Sequence, residues 1–177
     1  MNHAPSWVPV LILFGLLSLA YLGMWRGWKR RARRHELPPL TPPGETTGPA
    51  RLTGRGRYFG STVAGAWLDR VVARGLGARS ACRVTLSSSG LDVLRPGADF
   101  RITRQAMRGA RLESGLAGKV VPPHGILVVT WQHGDLLIDS GFRLDEATST
   151  TGATSRSPKD IHASMAADIS EIVQEAA

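Results

Sequence analysis

The order of apolar and polar positions divides the chain into three textures. The first is unbroken. Met1–Trp25 holds no Asp, Glu, Lys or Arg, and Trp7–Trp25 is apolar on every helical face, unlike the one-sided stripe of a surface helix. Its roughly 19 residues at ~1.5 Å each reach about 28 Å, close to the ~30 Å hydrocarbon layer of a bilayer. Trp7 at one end and Tyr21, Trp25 and Trp28 at the other suit the two interfacial belts, and Pro9 falls in the first turn, where its missing N–H is harmless. These positions predict a transmembrane helix over 5–28. A cleaved signal peptide would show basic residues ahead of the apolar run and a small-x-small site behind it, and the chain shows the reverse charge order.

The second texture, from residue 51 to 143, alternates with period two and predicts short antiparallel strands. Arg57–Ala64 reads as a first strand. Gly65–Gly75 reads as a short helical turn, with Trp67, Leu68, Val71 and Val72 on one face and Gly75 and Gly77 ending it. Cys82–Leu86 and Leu91–Arg95 flank Ser87–Gly90 as a hairpin, Pro96-Gly97 turns into Asp99–Thr103 with Phe100 and Ile102 inward, and Ala106–Leu112 is a further strand. Gly115–Gly125 reads as a Gly/Pro-rich loop. Ile126–Gln132, apolar on both faces, then turns at Gln132–Asp135 into Leu136–Asp139. The third texture is a stripe: Ile161, Met165, Ile169 and Ile172 or Val173 recur at helical spacing behind a Ser157 N-cap and predict an amphipathic helix over 158–176. A basic stop-transfer segment with a Pro-rich spacer fills 29–50, and a Ser/Thr-rich mobile connection fills 144–157. The domain is therefore mainly β (α+β): a β-sandwich or partly open barrel of about six or seven antiparallel strands, closed by one helix.

Charge refines this picture. The net charge of +8 over 177 residues suggests nucleic acid until the charges are placed. Arg26, Lys29, Arg30, Arg31, Arg33 and Arg34 directly follow the apolar run. Six cations on that side and none on the other predict a single-pass plasma-membrane protein, its N-terminus outside and its C-terminal domain cytoplasmic. The same cations would favour anionic headgroups, although topology alone accounts for them. Residues 51–111 hold twelve Arg against three Asp, and residues 112–177 hold four Lys or Arg against nine Asp or Glu. Opposite signs in the two halves predict internal pairing, and the sparse aromatics argue against a nucleic-acid surface. The single Cys82 excludes a disulfide framework and a Cys-based zinc site, and suits a reducing compartment.

Four segments carry a family resemblance: Tyr58–Gly77, Met107–Val121, Gly125–Trp131 and Asp139–Arg143. Together they resemble bacterial pleckstrin-homology-like (bPH) membrane proteins over about residues 55–143. The resemblance implies a PH-like domain in the cytosol behind one N-terminal transmembrane helix. It supplies no catalytic residues to carry over.

Candidate chemistry is sparse. Gly115-Leu-Ala-Gly-Lys119 fails as a phosphate loop, with Glu113 where the first Gly belongs and Val120 where Ser or Thr belongs. His124, His133, Asp135 and Asp139 come nearest to a metal or acid–base cluster but lack ligand spacing, and the two aspartates read as solvated turn and strand-end residues. Cys82 alternates with Val84 and Leu86 and reads as a small buried hydrophobe. A non-enzymatic protein without cofactor or metal is expected. Two readings of its role stay open. One is a scaffold or protein-interaction module at the cytoplasmic face, with an unidentified membrane or cytosolic protein as partner. The other is an anionic-lipid or small-ligand sensor, or the accessory subunit of a transporter. Trp67, Arg70, Arg74, Arg104 and Arg108 are the candidate interaction surface, with Arg79, Arg101 and Arg111 close by in sequence. The expected partners are the lipid bilayer and a protein, not nucleic acid, and no pattern fixes the oligomeric state.

Overall fold

The structure is a computed structural model that describes residues 7–33, 37–44, 49–150, 152, 154–155 and 157–175. It separates into two compact units, one ending at Glu36 and one beginning at Leu37. The first contains helix α1 (Val8–Arg33). Its window Val10–Gly27 is long and apolar enough to cross a membrane, and every side chain in that window is exposed. The helix continues five residues past the predicted boundary at 28, because Lys, Arg and Ala are good helix formers. Arg26, Lys29, Arg30, Arg31 and Arg33 thus belong to α1, and Arg34 lies outside the described residues.

The second unit is built from β1 (Leu52–Val63), β2 (Ala66–Arg70), β3 (Ser80–Ser87), β4 (Gly90–Leu94), β5 (Phe100–Thr103), β6 (Met107–Glu113), β7 (Gly115–Leu116), β8 (Lys119–Val120), β9 (Ile126–His133), β10 (Leu136–Ser149), β11 (Thr154–Ser155) and helix α2 (Pro158–Gln174). Seven strands form one antiparallel sheet in the order β5-β4-β3-β1-β10-β9-β6, curled into a half-barrel. Period-two alternation assigns its two faces. The inner face holds the main core, where Tyr58 meets Phe142 at 5.5 Å between ring centroids and Phe100 stacks on Trp131 at 5.9 Å. Helix α2 closes this face with Ile161, Met165, Ile169 and Ile172, all buried. Each such side chain contributes roughly 1.5–3 kcal/mol on burial, and a 17-residue helix of this kind needs that partner to persist. Ser157 makes no side-chain capping bond, so the helix starts on Pro158 alone.

The outer face has a smaller core of its own. The β7–β8 hairpin folds over the sheet as a flap and packs Leu116 and Ala117 on Phe59, Ile126 and Val128. This is why β9 is apolar on both sides. Gly141 lies under the flap, where a Cβ would come within 2.4 Å of Leu116 Cδ2. A larger residue there would force the Leu116 side chain to shift.

Four segments depart from the expectations, the first being Gly115–Gly125, where the expected loop contains the β7–β8 hairpin. Gly65–Gly75 is a helical turn only at Ala73–Gly75, a single 3-10 turn; before it Val63 pairs with Ala66 across Ala64-Gly65, a two-residue hairpin with Gly65 at φ +78°, and β2 runs back along β1. Val71 is buried while Trp67, Leu68 and Val72 are exposed, so the four share no face. Residues 144–149 are not a mobile connection, since β10 continues to Ser149, opposite Leu52. Asp145 is the extra residue of a bulge between the pairs Gly56–Leu144 and Arg55–Glu146, which shifts the alternation and hides the strand. The Pro-rich segment is likewise no free spacer over 37–44. Leu37 and Leu40 join the main core, Arg101 N donates to Thr41 O at 2.7 Å, and Arg74 Nε donates to Leu37 O at 2.9 Å. The segment covers β5, an edge strand whose backbone groups would otherwise stand open.

Candidate functional site

A concavity lies on the outer face, between the β2 hairpin and the β7–β8 flap. It encloses about 490 Å³ and is lined by Gly65, Trp67, Arg111, Glu113, Ser114, Gly115, Leu116, Val120 and Asp139. That volume falls within the ~300–1,000 Å³ of small-ligand sites. Two hydrogen-bonded contacts hold the hairpin and flap together: Ala117 N donates to Trp67 O at 2.9 Å, and Arg70 Nη2 donates to Ala117 O at 2.8 Å. Trp67 is 48% exposed and Val120 81% exposed. Together they form an apolar rim of the kind that marks interaction surfaces.

The polar end of the cleft is an ion pair set by strand register. Asp139 stands opposite Thr130 and opposite Thr62. Its side chain is only 3% exposed. Asp139 Oδ1 accepts from Thr130 Oγ1 at 2.6 Å and Arg111 Nη1 at 3.1 Å, while Oδ2 accepts from Arg111 Nη2 at 2.7 Å and Gly65 N at 3.4 Å. Burial alone would raise this carboxyl, but the Arg111 and Thr130 hydrogen bonds outweigh it and hold it below its ordinary value. Arg111 also donates through Nε to Glu113 at 2.9 Å and through Nη1 to Thr130 at 2.8 Å. Its charge is held more firmly than usual, chiefly by the Asp139 hydrogen bond.

The five candidate surface residues fall in three places. Trp67 and Arg70 meet at the cleft, Arg70 as a clamp on the carbonyls of Gly77 and Ala117. Arg74, at φ +54°, holds the Pro-rich segment. Arg104 reaches Glu175 of α2 at 3.5 Å, and the exposed Arg108 donates to the carbonyls of Gln105 and Met107. The charge asymmetry is partly spent on internal pairing, as Arg51–Glu171 at 3.1 Å and Arg111–Asp139 show.

The histidine and aspartate grouping dissolves. His133 bonds Pro38 O at 3.0 Å, His124 offers its carbonyl to His162, and Asp139 is a buried ion-pair member rather than a solvated strand end. Among the described residues no cluster of three His, Cys, Asp or Glu side chains is placed to hold a metal ion. Burial pushes the Cys82 thiol up to about 12, so it is inert as a nucleophile. One buried group escaped the sequence reading. His162, on α2, accepts Leu144 N at Nε2 (2.9 Å) and contacts His124 O through Nδ1 (3.2 Å). Burial lowers its pKa below the ordinary value, and the bond from Leu144 N requires the neutral ring, with its proton on Nδ1.

Residues 36–157, more than half of the chain, match the family described as bacterial PH domain-like. No curated protein matches the chain.

Proposed function

Because the chain belongs to the bacterial PH domain-like family, we propose that it is a single-pass membrane protein whose PH-like domain works at the cytoplasmic face as a non-enzymatic protein-interaction module. Helix α1 is the anchor, and the cations from Arg26 to Arg34 set its orientation by the positive-inside rule. The observation that carries the docking role is the cleft: an exposed Trp67 and Val120 around a fixed ion pair, on two hairpins braced against the sheet. Exposed tryptophan in a preformed hollow is the commonest chemistry of an interface anchor. The cleft's own charges, one guanidinium and two carboxylates, disfavour an anionic lipid headgroup there.

The test has two arms. Alkaline extraction of membranes should leave the chain in the pellet, and protease should digest the domain in inverted but not right-side-out vesicles. A photo-cross-linking amino acid at position 67 should yield one discrete protein adduct, lost when Val120→Ser is added. Release by alkali would end the anchor reading, and the absence of any adduct would end the docking reading.

A further inference from the structure

The arginines of the second unit divide by whether they have partners. Every other described arginine from Arg51 to Arg143 makes a hydrogen bond, ion pair or ring contact, but Arg55, Arg57 and Arg83 make none among the described residues. These three adjoin one another. Arg55 on β1 stands directly opposite Arg83 on β3, Arg57 follows two residues along β1, and all three are exposed on the outer face. Like charges at directly opposed positions repel, so the sheet carries a pair that its own stability disfavours. A bulge at Arg55/Gly56, opposite the extra residue Asp145, re-aims the strand at this point. Arg55 and Arg83 also line a hollow of about 350 Å³ with Thr53, Glu146, Ala147 and Thr148, on the polar half of the face and sharing no residue with the flap cleft.

We propose that this hollow is an anion site that takes a terminal phosphate group, held between the guanidiniums of Arg55 and Arg83. The site stands apart from the docking cleft and does not depend on it. Each guanidinium presents five N–H groups in a planar fork that matches phosphate oxygens. Cβ atoms at directly opposed positions lie ~4.5–5.5 Å apart, which lets two forks reach one phosphate. Thr53 and Thr148 add hydroxyls at the wall. Charge selects the ligand. Arg55, Arg57 and Arg83 against Glu146 leave two positive charges, matched by a phosphate dianion, while Arg143 is offset by Asp145 at 3.7 Å. No aromatic side chain lines the hollow, so a nucleic-acid base has no stacking platform there.

The test uses the full-length chain in uncharged detergent micelles, labelled with ¹⁵N-arginine. It reads the Nε–H resonances of Arg55 and Arg83, assigned by Arg55→Gln and Arg83→Gln. Inorganic phosphate should shift both saturably and at least fivefold more strongly than chloride at equal ionic strength. Arg101, held by Asp92, should stay in place. Arg83→Gln should weaken the Arg55 response at least fivefold, and Glu146→Gln should strengthen it at least threefold. Equal response to chloride, a uniform shift of every arginine, indifference to Arg83→Gln, or weakening by Glu146→Gln would each overturn the proposal. Phosphatidylcholine nanodiscs with and without phosphatidic acid then identify the source of the group. Shifts of Arg55 and Arg83 that appear with phosphatidic acid alone assign the site to a lipid headgroup, and shifts that appear only on adding phosphate assign it to a soluble ligand.

Discussion

The two faces of one sheet are built to different ends. The inner face is covered by α2 over β6, β9 and β10 and joined by Leu37 and Leu40 of the Pro-rich segment, and it carries Tyr58, Phe100, Trp131 and Phe142 in mutual contact. Several of its polar groups pair with one another: Tyr58 Oη bonds Ser61 at 2.6 Å and Leu76 O at 2.8 Å, Ser61 bonds Ser140, and Trp131 Nε1 donates to Ser140 at 2.9 Å. The outer face is covered only by a two-stranded flap and leaves Trp67 and Val120 in water. Their exposure on the less covered side is what the proposed docking role predicts.

The comparison breaks if the inner face proves dispensable. Phe142→Ala should cost about 3–5 kcal/mol, the range for a large aromatic removed from a close-packed core, read by urea unfolding of the full chain in mild detergent. A loss comparable to that of a surface substitution would contradict the assignment. On the outer face, Asp139→Asn leaves Arg111 without its main partner. The expected cost is smaller, about 1–3 kcal/mol, because Arg111 is partly exposed and solvent screens its charge.

Acid sharpens the contrast. His162 is neutral in the fold and its pKa is lowered, so its contribution is complete above the ordinary value of 6.5 and is lost as pH falls from there through the lowered folded value. Asp139 follows the same sign in another window: its contribution holds above the ordinary 3.8 and is lost as pH falls through its lowered folded value. Stability measured against pH should therefore decline in two steps, the first abolished by His162→Gln and the second by Asp139→Asn. His162→Gln itself should cost about 1–2 kcal/mol at neutral pH. A single step insensitive to His162 would refute the role of its ring in joining α2 to β10. The smallest effect on folding belongs to the rim, where Trp67→Ala and Val120→Ser should each change stability by less than about 0.5 kcal/mol and yet abolish docking.

What the sequence made legible follows the same division. The inner face repeats simply: Phe100 and Ile102, Cys82, Val84 and Leu86, and the α2 stripe all emerge from period 2 or 3.6. The outer face depends on residues distant in the chain. Thr130 and Asp139 face each other because a hairpin turn at Gly134 sets their register, but Arg111 lies 28 residues from Asp139 and comes from a different strand. Nothing local announces that pairing. Trp67, Leu68, Val71 and Val72 suited a helical face by spacing alone, while the tight turn at Gly65 made the segment a strand. Leu37 and Leu40 were hidden by the prolines around them, which signal an extended chain without showing that it packs.

The account stands most directly on a cross-linking scan of the outer face in native membranes. Photo-cross-linkers at positions 67 and 120 should capture the same protein, while those at Thr53 and Thr85, on the polar half of that face away from the flap, capture nothing above background. Equal capture from both halves, or capture only from Thr53 and Thr85, would contradict the claim that the flap cleft is the docking surface.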